Sequence, residues 1–390
     1  MKLLLIKIGK AWSVLKRDGL WSGGKRVIGA FFALFRRVRS GDVLFISNGI
    51  GDSARYRTVY AAEALEQHGF KTAVTIQDNP FLVSYADQFS IFVFHRVLYT
   101  EKVARLIERI KALGKEIIFE ADDLVYDPQF LQSMAGYADM NALERKLYEN
   151  GVGGEILADP YVKVCTTSTA FLAERLRERG KRVFVIRNKV SQEDVKHADE
   201  VLRTVAKDPS IVRVAYLSGT PSHNRDFAMI TDALLAVLAK YPEMRLVLAG
   251  PLDTDSRLQA FAARIERVPF LPRAEYFALV AGTDINLAPL EIGNPFCEAK
   301  SELKWFEAGL VAVPTVAAAT GTFREAIADG VDGYVAGTTE EWIEKLGRLI
   351  EDRTLRQAMG ERARATVLEK YATATAADTE YYDYLRSKLS

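Results

Sequence analysis

The chain has 390 residues, of which 49% are hydrophobic and 26% charged. That makeup excludes disordered, fibrous and disulfide-scaffold proteins, and a length beyond roughly 250 to 300 residues implies a core divided between two domains. The net charge of +1 hides a segregation, because residues 1–40 carry ten basic side chains against one acidic, for +9, while the rest of the chain sums to −8. Such asymmetry marks a segment that meets an anionic surface.

No run of 18 uncharged apolar residues occurs, so no spanning helix is expected. The opening apolar run is cut by Lys7 and Lys10 before it reaches signal-peptide length, which leads to the expectation that the mature chain starts here, in the cytoplasm. Cys165 and Cys297 match no metal or disulfide spacing. They are expected to be small buried apolar residues in a reducing compartment, with no metal bound.

From Lys25 to Arg39, the residues Val27, Phe31, Leu34, Phe35 and Val38 recur at helical spacing, with Lys25, Arg26, Arg36, Arg37 and Arg39 on the opposite arc. This predicts a basic amphipathic helical segment within residues 1–40. It either lies in the headgroups of an anionic membrane or docks on the body with its basic face in water, and the aromatic content and basic excess favour the membrane. No basic stripe continues into the domains, so no nucleic-acid partner is expected.

After Gly41, short apolar runs alternate with helical patterns. Residues 43–47, 72–76, 91–94, 116–120, 162–166 and 183–186 read as buried strands, with helices such as 53–68 and 101–113 between them. A second series follows at 212–217, 245–249, 285–287, 315–318 and 334–335. Strand, helix, strand in succession predicts α/β architecture with parallel sheets covered on both faces, here as two Rossmann-like domains. The expected boundaries are 41–195 for an N-terminal, acceptor-side domain, 211–370 for a C-terminal domain and 371–390 for a C-terminal helix returning to the first. The polar stretch 191–210, ending in Asp208-Pro209, reads as the link. Ligands of such sheets bind at the carboxyl ends of the strands, so a cleft between facing domains is the expected site.

Several strand ends carry chemistry. Ser47-Asn48-Gly49-Ile50-Gly51-Asp52-Ser53 joins a strand to a helix that contains Arg55 and Arg57. Its glycines serve either a tight turn or the close approach of a ligand, and the arginines either contact phosphate or lie on the helix surface. His95-Arg96 and Asp122-Asp123 end two further strands and point into the expected cleft. The two aspartates would bind acceptor hydroxyls, act as a base, or cap the following segment. In the second series, Ser218-Gly219-Thr220-Pro221-Ser222 is a small-residue loop whose amides can cradle phosphate, with Gly219 and Thr220 at its centre; His223 beyond it reads as a loop cap. Lys300 and Ser301 are expected to open the helix that leads to Glu307, aiming an ammonium and a helix N-terminus at a diphosphate. Lys304, one turn on, either shares that role or is a solvated helix lysine.

Together the runs Ile285-Asn286-Leu287-Ala288-Pro289-Leu290-Glu291, Asn294-Pro295-Phe296-Cys297-Glu298-Ala299-Lys300-Ser301-Glu302-Leu303-Lys304, Glu307-Ala308-Gly309 to Pro314-Thr315, Gly321 and Asp329-Gly330-Val331-Asp332-Gly333-Tyr334 resemble the donor-binding half of family 4 glycosyltransferases of the GT-B fold. The likeness extends more loosely from Gly41 to the C-terminus. It implies that Glu307 grips the nucleotide ribose, that Glu298 contacts donor-sugar hydroxyls although it stands one residue early, with Glu291 as its competitor, and that Arg225 replaces a lysine which balances the leaving diphosphate. It further implies that Gly49 and Gly51 approach donor and acceptor, and that Asp122 stands where many relatives have a histidine that touches the donor sugar.

The activity implied is metal-independent, retaining transfer of a hexosyl unit from a nucleotide sugar to a glycan hydroxyl. Arg225, Lys300 and Asp122 would be catalytic, Gly219, Thr220, Arg225, Glu298, Lys300, Ser301 and Glu307 would hold the donor, and Gly49, Gly51, Arg55, His95, Arg96 and Asp123 would line the acceptor side. No cofactor beyond the donor is expected. Combined with the basic segment, the resemblance points to a lipid-linked glycan acceptor on the inner face of a membrane, as in O-antigen or other surface polysaccharide assembly. The alternatives are a sugar-nucleotide epimerase of the same fold and a non-catalytic glycan-binding or assembly subunit.

Overall fold

The computed structural model of the protein describes Gly29 and residues 34–134, 136, 137, 140–219 and 223–389. Most of the basic amphipathic segment, and Thr220, lie outside the described residues. The chain divides into two compact units, Met1–Asn188 with Ala377–Ser390, and Lys189–Ala376.

The first unit is built on strands β1 (Val43–Ser47), β2 (Thr72–Ile76), β3 (Ile91–His95), β4 (Glu116–Ala121), β5 (Val164–Thr167) and β6 (Arg182–Val185), in the order β2-β1-β3-β4-β5-β6. All pairs are parallel. Every residue of β1 and β3 is buried, which explains why these strands read as continuous apolar runs rather than alternating ones. Chain order reverses between β1 and β3, the position at which an open parallel sheet leaves a crevice beyond its strand ends. Register sets Ser47 beside His95 and His95 beside Glu120, so the side chains that leave these strands emerge together.

The helix after β1 begins at Asp52, widens into a π segment at Arg55–Val59 and continues as Tyr60–Gln67. An inserted π turn re-aims the side chains around it and is frequent at functional sites. Helix Glu101–Ala112 buries Val103, Leu106, Ile107 and Ile110 on one stripe, and Thr100 caps it by accepting from the Val103 amide at 3.3 Å. At the far end of the chain, helix Thr379–Arg386 packs Tyr381, Tyr382 and Leu385 into the core of this unit beside Val43, Phe45, Phe70 and Phe184.

The second unit carries β7 (Val212–Leu217), β8 (Met244–Ala249), β9 (Ile265–Val268), β10 (Ile285–Ala288), β11 (Thr315–Ala318) and β12 (Tyr334–Ala336), parallel and ordered β12-β11-β10-β7-β8-β9. Strand β9 was not expected from the sequence. It lies at the sheet edge with Glu266 and Arg267 exposed, so it lacks the apolar run that betrays an inner strand. The stretch read as a link is instead largely helix Gln192–Thr204, opened by a capping box in which the Ser191 hydroxyl accepts from the Asp194 amide at 3.0 Å and the Asp194 carboxylate accepts from the Ser191 amide. Among the described residues, no helix is long and apolar enough to cross a membrane.

Candidate functional site

In the second unit, the segment from Asn294 forms a short helix, Pro295–Glu298, then a turn, then helix Leu303–Leu310. Lys300 and Ser301 therefore precede the helix rather than open it, because Glu302 occupies the N-cap position. Residues Trp305 to Leu310 are all buried between sheet and neighbouring helices.

Glu307 is 6% exposed. Its Oε1 accepts from Arg273 Nη1 at 2.7 Å and its Oε2 from the Tyr276 hydroxyl at 2.9 Å. Arg273 also forks onto Asp194, with Nε and Nη2 each 2.7 Å from a carboxylate oxygen. Pairing of this kind is what a buried carboxylate requires, and it fixes the positions of the Glu307 oxygens. Arg273, Tyr276 and Asp194 were not singled out from the sequence, since they come from segments more than 25 residues away from Glu307.

Lys304 is not a solvated lysine. It donates to the Leu217 carbonyl at 2.5 Å, at the carboxyl end of β7, and stands 5.0 Å from the centre of the Tyr216 ring. Burial pulls its pKa down to about 8, a trend that Glu307 and Asp226 oppose and Lys300 reinforces. The Gly219 loop continues directly from that strand end, and a Cβ on Gly219 would meet nothing within 4 Å. Gly250 is needed for geometry, with φ +81 and an added Cβ only 2.0 Å from the Ser218 carbonyl oxygen.

Arg225 is exposed, on helix Asn224–Ala228. Its neighbour Asp226 turns inward, where Oδ2 meets His223 Nδ1 at 2.8 Å and Oδ1 accepts from the Glu291 amide and the Cys297 thiol, each at 3.3 Å. Cys297 is thus a hydrogen-bond donor as well as a buried residue, and burial pushes its thiol up to about 12, as it does that of Cys165. Asp226, Glu291 and Cys297 bring ligand-type atoms within 4.8 Å of one another, a grouping that the spacing of the two cysteines did not suggest. Glu298 spans two backbone donors, accepting from Gly293 N at 3.0 Å and from Gly321 N at 3.1 Å. Its carboxylate thereby ties the loop after β10 to the start of helix Gly321–Ala326. Glu291 accepts from the Asn294 side-chain amide at 2.9 Å.

The first unit gathers a second group at the ends of β1, β3 and β4. Asp122 accepts from Ser53 Oγ at 2.6 Å and from Arg96 Nε at 2.6 Å, and its Oδ1 lies 3.2 Å from His95 Nε2. Arg96 also reaches Asp123 at 3.4 Å. Beneath them, Arg57 forks onto Glu120 at 2.7 and 3.0 Å and donates to the Ile186 carbonyl at 2.6 Å and to Asn188 at 3.0 Å. Arg55 pairs instead with Asp52 at 2.9 Å on the helix surface. Gly51 is extended, at φ −176, and neither Gly49 nor Gly51 has any atom within 4 Å of an added Cβ. Packing therefore does not demand these two glycines. Arg57, expected either to contact phosphate or to lie on the helix surface, is instead 3% exposed and held by Glu120; Ser53 and Glu120 were not singled out, since a serine two residues after a glycine carries no signal of its own.

Residues 228–379 match the family model described as glycosyl transferase-like. No curated protein matches. Among solved structures, the fold resembles Alr3699/HepE of Anabaena in complex with UDP and glucose, at 14% identity and a TM-score of 0.58 over 89% of this chain and 100% of that one. It also resembles sucrose-phosphate synthase of Thermosynechococcus elongatus, at 13% identity and a TM-score of 0.57 over 89% and 98%. WaaG, a glycosyltransferase involved in lipopolysaccharide biosynthesis, matches at 14% identity and a TM-score of 0.53 over 88% and 99%. The two parallel six-stranded sheets with their helices have the GT-B architecture shared with these glycosyltransferases.

Proposed function

We propose that the protein is a glycosyltransferase that moves a hexosyl unit from a nucleoside diphosphate sugar to a hydroxyl of a growing, lipid-linked glycan, with retention and without a metal. One observation carries the reading: within the stretch that matches a glycosyl transferase-like model, the buried Glu307 carboxylate and the Lys304 ammonium are held on one helix, with the ammonium on the carbonyl at the carboxyl end of β7 just before Gly219. A carboxylate suits a ribose diol, and an ammonium at the carboxyl end of a parallel strand suits a diphosphate. Lys300 and exposed Arg225 add charge that can follow the leaving diphosphate, for electrostatic stabilisation of the transition state. UDP is the donor nucleotide to test first, since structures of Alr3699/HepE contain UDP, UDP with glucose, and UDP-glucose.

The test is titration with UDP and UDP-sugars followed by a transfer assay on membrane lipid acceptors. Glu307→Gln is the informative variant, because it keeps the shape that Arg273 and Tyr276 surround while removing the charge and turning one acceptor oxygen into an N–H donor. Donor affinity is expected to fall at least tenfold, about 1.4 kcal/mol, with the melting transition preserved. Undiminished affinity in that variant would remove the ribose role.

A further inference from the structure

The group around Asp122 contains a serine, a histidine and an aspartate, and its hydrogen atoms can be assigned. The Ser53 hydroxyl is directed to Asp122 Oδ2 at 2.6 Å. His95 Nε2 faces Ser53 Oγ at 3.0 Å and Asp122 Oδ1 at 3.2 Å, so this nitrogen carries the ring proton and donates. Nδ1 is buried without a hydrogen-bond partner. In a serine nucleophile relay the carboxylate holds one ring nitrogen while the other takes the hydroxyl proton. Here both oxygen groups sit on the same nitrogen, and Ser53 has no base to receive its proton.

A carboxylate offers about four acceptor sites. Arg96 and His95 occupy Oδ1, Ser53 occupies one site on Oδ2, and one site on Oδ2 is left over. Asp123 accepts from the Leu124 amide at 2.8 Å, capping the next turn, and from Arg96 at 3.4 Å, so of the two aspartates Asp122 is the one held by three side-chain donors. Arg96 reaches Asp122 from a left-handed backbone, φ +50, a conformation that costs any residue but glycine, so the turn holds strain at the residue that supplies the guanidinium.

We propose that Ser53, His95 and Arg96 are positioning residues that keep Asp122 an oriented anion, whose remaining acceptor site on Oδ2 binds one sugar hydroxyl, and that neither Ser53 nor Asp122 takes up or gives a proton during the reaction. The proposal rests on the transfer reading above and goes beyond it by turning an apparent nucleophile set into a hydroxyl-orienting one. The charged groups around Asp122 are Arg96 from the end of β3, Arg57 from the helix after β1, itself paired with Glu120 of β4, and adjacent Asp123, while His95 adds the hydrogen bond of its Nε2. Burial alone would raise the Asp122 carboxyl, but Arg96 and His95 hold it well below the ordinary carboxylate range.

Carboxyl-carbon NMR of the full chain labelled at aspartate, with Asp122→Asn for assignment, reads this ionisation without any substrate. Asp122 is expected to show no titration step in the ordinary range, about pH 3.5 to 4.5. In Arg96→Gly, which suits the left-handed turn and removes the guanidinium together with its side chain, the step should move up toward that range. In the transfer assay, Ser53→Ala should keep at least a tenth of the wild-type rate and shift the acid limb of the pH profile upward, whereas Asp122→Asn should lose at least 100-fold with nucleotide affinity unchanged. An Asp122 step in the ordinary range in the wild type, or loss of more than about 1,000-fold in Ser53→Ala as expected for a nucleophile, overturns the proposal. If no sugar nucleotide supports transfer by the wild type, the transferase reading fails while the NMR step still decides the state of Asp122.

Discussion

Lys304 has an ammonium whose charge is useful only while it persists, and its pKa of about 8 puts that limit close to neutrality. For folding, the sign is that of a lysine whose pKa is lowered in the native state. Between about pH 8 and the unfolded value near 10.4 the unfolded chain binds more protons, so this residue's contribution to stability increases with pH. Nucleotide binding should run the opposite way, weakening as Lys304 loses its proton, by about fivefold from pH 8 to 9. Calorimetric titration with UDP across pH 6.5 to 9.5 measures it, and Lys304→Met should abolish the slope while lowering affinity at pH 7. A slope that survives Lys304→Met would assign the titration to another group. At this scale the sequence was only partly legible. Helical spacing set Lys304 one turn from Lys300 and Glu307, but it could not say which carbonyl the ammonium would meet, because Leu217 lies 87 positions earlier. Glu307 stood out through its surroundings in sequence, while the Arg273 and Tyr276 contacts that fix it depend on a helix packed from elsewhere.

Elements decide which of these residues meet. Helix Gln192–Thr204 lies where composition suggested a link, because its apolar positions are sparse and its polar residues are those of any surface. Its start nevertheless carries a signature, serine followed three residues later by aspartate, that a capping box makes physical. Asp194 of that box also clamps Arg273, which in turn holds Glu307. Two substitutions should therefore separate. Ser191→Ala removes a cap worth about 1 kcal/mol and should lower the melting temperature by a few degrees with donor affinity unchanged. Asp194→Ala frees the Arg273 fork as well, and should reduce donor affinity at least fivefold beyond its effect on stability. Equal affinities in the two variants would show that Arg273 does not transmit the position of this helix. Inner strands such as β1, β3, β10 and β11 were legible as apolar runs because both faces are covered; β9, half solvated at the edge, was not.

At the scale of the whole molecule, repetition of strand and helix made two parallel sheets readable, whereas the charge segregation points to something the fold alone does not require. The described start of the chain is tied to the first unit: Asn79 donates to the Arg36 carbonyl at 2.8 Å, the Val38 amide donates to the Tyr85 hydroxyl at 3.3 Å, and the Arg37 guanidinium stands 4.3 Å from the Phe81 ring centre. Removing residues 1–33 would leave these anchors intact while deleting seven of the ten basic side chains of the segment and its one acidic residue. If the segment serves a membrane, each basic group near an anionic surface contributes about 1 kcal/mol, so binding to vesicles containing phosphatidylglycerol should fall by at least 100-fold. The melting temperature and UDP affinity should stay as in the full chain. Binding of the full chain should also weaken steeply between 0.05 and 0.5 M salt, as screening shortens from about 14 to 4 Å. A truncated chain that still binds such vesicles as tightly would locate the membrane contact in the folded units, and would leave the nine excess charges of residues 1–40 to a different anionic partner.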